Sequence, residues 1–214
     1  MSEINKNLHQ ERKSYDQSTL RIQTVDKDPI KQFDQWYCEA DSFGDFEANA
    51  MVISTVGMDG RPSSRVVLLK EYSNEGLIFF SNYDSRKGRE MAANNAVSVL
   101  FFYEQMQRQI RIDGRVEKIS EKASDDYFKT RPIESQYGAM VSQQSHPLAS
   151  KEDLEKEFQS ILRSKKKPQR PKHWGGYLLK PSYFEFWQGR PNRLHDRIYY
   201  SFEKNSWNRG ILSP

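Results

Sequence analysis

Apolar and polar residues change their spacing several times along this chain, and each change marks an element. Ile30, Phe33, Trp36, Tyr37 and Ala40 recur at the intervals of one helix face. Asp28-Pro29 supplies an N-cap and a proline for the first helical position, and Phe43-Gly44 marks the end. The pattern then shortens. Residues 51–56 are apolar and rich in β-branched side chains, Gly57-Met58-Asp59-Gly60 is a turn, and 63–70 is a second strand, which together predict a hairpin. A third strand over 77–81 follows the turn Asn74-Glu75-Gly76. The pattern next predicts a short helix over 85–94, a buried strand over 96–103, and a long alternating strand over 108–119 in which Gly114 marks a bulge.

Ser120 caps a helix containing Tyr127, Phe128 and Arg131, which Pro132 stops; a brief helix follows over 135–141. Ser150-Lys151-Glu152-Asp153 resembles a capping box, with Leu154, Phe158 and Ile161 as the apolar stripe and Lys165-Lys166-Lys167 at the helix end. Strands return over 174–179, 183–187 and 194–202, with a last piece near Trp207. Residues 1–27 are polar and aperiodic, which predicts a mobile N-terminal arm outside the core and leaves 28–214 as a single domain. Many strands with few helices between them point to a mainly β, α+β protein. An antiparallel sheet or small barrel under an outer helical layer is expected.

Composition sharpens this in two respects. A hydrophobic fraction of 36% with an aromatic fraction of 13% describes a small core helped by large rings, one that a second subunit would complete. Lys+Arg of 33 against Asp+Glu of 29 leaves only +4, which suits anionic small molecules at least as well as nucleic acid. Cys38 is the single cysteine, so no internal disulfide forms and a reducing compartment is expected. No run reaches the roughly 18 apolar residues of a membrane span, and the first ten residues lack the apolar centre of a signal peptide. The cytoplasm is the expected location, with no membrane partner.

Four groups of residues carry candidate chemistry. Ser85 reads as an N-cap, which puts Arg86 and Lys87 in the first turn of a helix, where the dipole is already positive. Each cation there costs a few tenths of a kcal/mol to ~1 kcal/mol. A bound phosphate reverses the sign; the bland alternative is an exposed helix start. Arg65 and Lys70 bound an apolar strand, and strict alternation places them on opposite faces unless a bulge intervenes. Tyr127 and Arg131 are one helical turn apart and Ser135 follows. That is a donor set suited to a phosphate monoester, or equally a tyrosine packed on a surface arginine. Finally, a strand over 194–202 extended back to 193 would put Arg193, His195 and Arg197 on one face. Such a face repels itself unless an anion, an electron-rich ring or nearby carboxylates sit against it. The chain has no GxGxxG or Walker loop, no G-x-S-x-G elbow and no metal-ligand spacing among its histidines. Redox chemistry here would need a cofactor held outside a Rossmann fold.

The ordered motifs RVVLLK (65–70), FFSNYDSRKG (79–88), RQIRIDG (108–114), YFKTRPIESQYGA (127–139), VSQQS (141–145), WGGY (174–177) and EFWQGRPNRLHDR (185–197) resemble the pyridoxine (pyridoxamine) 5'-phosphate oxidase family. The resemblance implies an antiparallel split β-barrel of Greek-key type, homodimeric, with FMN at the subunit interface. It implies that Arg65, Val66, Val67, Leu68, Lys70, Phe80, Ser81, Arg86 and Lys87 hold FMN, with Arg86 and Lys87 at its phosphate. Gln109, Gln144, Ser145, Trp187 and Arg197 would complete that site, some of them from the partner subunit. Lys70, Tyr127, Arg131 and Ser135 would grip the substrate phosphate, Arg193 and His195 would place the pyridine ring, and Arg12 and Tyr15 would form a lid. The implied reaction takes pyridoxine or pyridoxamine 5'-phosphate to pyridoxal 5'-phosphate, with hydride passing to flavin N5 and dioxygen reoxidising the flavin to give hydrogen peroxide. Two other readings stand beside it: a non-enzymatic barrel binding nucleic acid through basic and aromatic residues, and a flavin-binding relative with another substrate.

Overall fold

The computed structural model describes residues 9, 13–44, 46–164 and 166–214; Arg12 and Lys165 lie outside them. Helix α1 (Pro29–Asp41) starts as its sequence predicts, with the Asp28 carboxylate accepting from the Ile30 N–H at 2.9 Å. It buries Ile30, Phe33, Trp36 and Ala40 against the sheet. The strands are β1 (Ala50–Val56), β2 (Pro62–Ser73), β3 (Gly76–Asn82), β4 (Ala96–Tyr103), β5 (Arg108–Lys118), β6 (Trp174–Gln188), β7 (Asp196–Glu203) and β8 (Ser206–Ile211). Helix α2 (Arg86–Ala93) joins β3 to β4, and α3 (Glu121–Thr130), α4 (Ile133–Val141) and α5 (Lys151–Arg163) lie between β5 and β6.

The sheet order β3-β2-β1-β4-β5-β6 closes on itself because β3 also pairs with β6, giving a six-stranded antiparallel barrel; β7 and β8 continue beyond β6. Closure removes two sheet edges that would otherwise offer unpaired backbone groups. Inside it, Ile53 faces Val99, Val99 faces Ile112, and Ile112 faces Phe184 across successive strands, all fully buried. Phe186 and Tyr200 extend this core under α1, where Trp36 meets Phe186 edge-on at 5.3 Å.

Three expectations are corrected. The segments 174–179 and 183–187 are one continuous strand, β6, whose first half pairs with β3 and whose second half pairs with β7. Pro181 does not end it, because the β5 partner register slips between Asp113 and Gly114 and absorbs the irregularity there. A Cβ on Gly114 would stand 2.2 Å from the Lys180 carbonyl oxygen, so the close approach needs glycine. Second, β7 begins only at Asp196, after a 3-10 turn over Pro191–Arg193 in which Asn192 and Arg193 take positive φ. Arg193, His195 and Arg197 therefore do not share a strand face. Third, the N-terminal arm contributes to the core: Leu20 and Val25 are buried, and the Leu20 N–H donates to Asp196 at 2.9 Å. Arg209 and Tyr200 fasten the carbonyls of Val25 and Asp26 from the other side.

Candidate active site

The cap of α2 forms as its sequence predicts. Ser85 accepts from the Gly88 N–H at 3.2 Å and donates to the Asn82 carbonyl at 2.7 Å, fixing the helix start beside the end of β3. That start forms one wall of a cleft of about 640 Å³. Arg65, Val66, Val67, Leu68 and Lys70 of β2 line it, with Phe80 and Ser81 of β3, Arg86 and Lys87 of α2, Tyr127 and Arg131 around the end of α3, and Gln144 and Ser145 beyond α4. Arg65 and Lys70 reach the same cleft because the β2 register against β3 slips between Leu69 and Glu71. This is the bulge that strict alternation required.

Cations dominate the cleft. Lys87 is only 7% exposed and donates to Gln144 at 3.1 Å and to Ser85 at 3.2 Å. Burial, then the nearby charge of Arg65, pushes its pKa down to about 8. An uncompensated buried ammonium at a helix N-terminus is the electrostatic signature of an anion site. Arg131 sits over the Trp174 ring at 4.5 Å, and its Nη1 is buried with no hydrogen-bond acceptor among the described residues. Burial lowers its pKa, opposed by Tyr127, whose own pKa burial raises. Phe80, Tyr127 and Trp174 lie nearly parallel, with Phe80 and Tyr127 centroids 3.7 Å apart. Ser145 adopts φ 69°, a left-handed conformation that costs a non-glycine residue of order 1–3 kcal/mol and clusters at functional sites.

The remaining expected residues do not line this cleft. Ser135 lies in the first turn of α4, because that helix starts two residues earlier than its pattern predicts. Gln109, Trp187 and Arg197 stand directly opposite one another on β5, β6 and β7, forming one cross-strand row. Arg197 is tied to the buried Glu185 at 2.8 Å, and that bond raises its pKa. His195 packs on Trp187 at 4.6 Å, and Tyr15 lies 5.9 Å from both rings. The Arg190 N–H donates to His195 Nδ1 at 3.1 Å, so the neutral imidazole carries its proton on Nε2. Burial, then Arg193, lowers the His195 pKa, while Asp196 pulls the other way. The expected site residues thus fall into two separate groups.

Sequence reasoning missed Trp174, which lines the cleft, and the Thr55, Ser63 and Glu90 cluster behind Arg65. Glu90 follows Arg86 by one helical turn, the only local signal that could have found it.

A closed antiparallel barrel with a cationic cleft at a helix start defines a split-barrel protein built to take an anionic small molecule. Residues 41–164 match the family model described as pyridoxamine 5'-phosphate oxidase, and 174–214 match the pyridoxine 5'-phosphate oxidase C-terminal dimerisation region. The chain belongs to the pyridoxamine 5'-phosphate oxidase family. It is 49% identical over 210 residues to the pyridoxine/pyridoxamine 5'-phosphate oxidase of Mannheimia succiniciproducens, covering 97% of this chain and 99% of that protein. It is 46% identical to the protein of the same name from Janthinobacterium sp., covering 95% and 97%. Among solved structures, PhzG from Burkholderia lata in complex with tetrahydrophenazine-1-carboxylic acid matches with a TM-score of 0.86 at 30% identity, covering 90% of this chain and 95% of that one. A pyridoxamine 5'-phosphate oxidase-related, FMN binding protein from Nostoc punctiforme shares the fold with a TM-score of 0.72 at 15% identity, covering 87% and 98%.

Proposed function

We propose that this chain is an FMN-dependent oxidase that converts pyridoxine or pyridoxamine 5'-phosphate to pyridoxal 5'-phosphate. The observation that carries the reading is the presence of two groups of anion-binding side chains in one cleft: Arg65, Arg86 and Lys87 around the α2 start, and Lys70, Tyr127 and Arg131 around the end of α3. One phosphate belongs to the cofactor and the other to the substrate. The residues fit FMN, since a buried, depressed Lys87 and the α2 N-terminus offer charge and backbone donors to a terminal phosphate. The unpartnered Arg131 Nη1 supplies a donor for the second phosphate. When bound, FMN supplies a hydride acceptor at N5 that dioxygen reoxidises with release of hydrogen peroxide.

The protein's own contribution is placement and charge. Lys70, Tyr127, Arg131 and Ser135 hold the substrate phosphate. Arg193 and His195 seat the pyridine ring, with the His195 Nε2–H available as a donor. Tyr15, packed on Trp187 and His195, excludes water from that side. Gln109, Trp187 and Arg197 complete the flavin site of the partner in a homodimer. The match of 174–214 to a dimerisation region supports this, as does the position of their row away from the cleft of their own chain.

The nucleic-acid reading has no comparable support, whereas Arg65, Lys70, Arg86, Lys87 and Arg131 converge in one concave cleft that suits a small anion. The decisive experiment incubates purified protein with FMN and each phosphorylated vitamer, following pyridoxal phosphate and hydrogen peroxide together. Equimolar formation of both is expected; a protein that stays colourless with FMN, or that makes neither product, overturns the reading.

A further inference from the structure

We infer that Glu90 is a positioning residue of the phosphate site, holding Arg65 and Arg86 in the cleft wall and setting the site's charge for a phosphate monoester dianion. This rests on the reading of the cleft as an FMN site. Glu90 is buried on α2 and does not itself line the cleft, whereas both arginines do. Its Oε2 accepts from Thr55 Oγ1 at 2.5 Å, Ser63 Oγ at 2.7 Å and Arg65 Nη2 at 3.3 Å. Its Oε1 accepts from Arg86 Nε at 2.8 Å. Burial alone would raise its pKa, yet the bonds from Thr55, Ser63, Arg86 and Arg65 together bring it down to about 2. It is therefore an anion at any working pH.

Two consequences follow from the geometry. The Arg86 side chain is 58% exposed and without Glu90 would sample many rotamers. Holding it through Nε leaves the two terminal nitrogens for an oxygen acceptor, the fork that suits phosphate. Charge is the second consequence. Arg65, Arg86 and Lys87 against one Glu90 leave two formal positive charges, matching a monoester that carries about −1.5 to −2 at neutral pH. A glutamine cannot replace it. Its single oxygen can serve either the Thr55–Ser63–Arg65 group or Arg86, and its NH₂ must then face donors on the other side.

The test compares FMN with riboflavin, which lacks the phosphate, by flavin fluorescence quenching on the flavin-stripped full chain. Glu90→Gln should weaken FMN binding on the order of tenfold or more while leaving riboflavin affinity unchanged. A role confined to propping α2 on the barrel would weaken both ligands alike. That outcome, or unchanged or tighter FMN binding, overturns the inference. Should Glu90→Gln fail to fold, Thr55→Val reads the same network, since it removes one donor to Glu90 and one acceptor for Arg65; the same phosphate-specific loss is then required. Wild-type protein that binds no FMN sinks the functional reading and this inference with it, whereas normal wild-type binding with an unaffected variant sinks this inference alone.

Discussion

Lys87 gives the proposed cofactor site a pH dependence whose sign can be worked out. Its pKa in the folded chain is about 8 against a usual 10.5. For a base with a depressed folded pKa, the unfolded chain holds the proton more tightly, so apoprotein stability rises as pH rises from about 8 to 10.5. A bound phosphate lifts the pKa again, so binding takes up a proton above about pH 8. FMN affinity should be flat between about pH 7 and 8, where the phosphate is largely a dianion, and fall above that by up to about tenfold per pH unit; titrations at several pH values check this, and Lys87→Met should flatten the alkaline limb. The second group of residues is proposed to divide by role. Arg197→Ala is expected to weaken FMN retention, whereas Arg193→Ala and His195→Ala should leave a yellow protein with kcat/KM lower by roughly tenfold or more. Equal flavin loss in all three would contradict the assignment.

Elements were legible in the sequence wherever a local rule decided them. Asp28, Ser85, Ser120 and Ser150 each cap the helix that their position announces. The register of β6 was not legible, because Pro181 reads as a break and only the matching slip at Gly114 on another strand shows that pairing continues. Gly114→Ala should accordingly destabilise the protein by about 1–3 kcal/mol in denaturant unfolding; a neutral result would mean that the strands part easily there. The turn before β7 was missed for a different reason, since positive φ at Asn192 and Arg193 leaves no periodic trace. Candidate site residues followed the same division. Arg86 and Lys87 were visible beside their cap, while Thr55, Ser63 and Glu90 meet only when β1, β2 and α2 pack together.

At the scale of the whole molecule, the proposal that the two groups of candidate residues belong to sites shared between chains can be tested. Mixing an Arg197→Ala chain with a Lys87→Met chain tests this directly. If each site draws on both subunits, a hybrid dimer contains one site with both defects and one with neither, so two weak variants should recover activity when combined, refolded and assayed. Absence of recovery would place the whole site within one chain.

Strand β6 connects these groups: Trp174 at its start borders the cleft, and Trp187 near its end belongs to the cross-strand row. Strand side chains alternate along it except at the slip opposite Gly114, where β6 already carries one extra residue. One residue added beyond that slip and before Phe186 would turn Phe186 outward and Trp187 toward the core, whereas two added residues would preserve facing and change only the spacing. A change in the length of β6 would therefore move the two groups of candidate residues relative to one another.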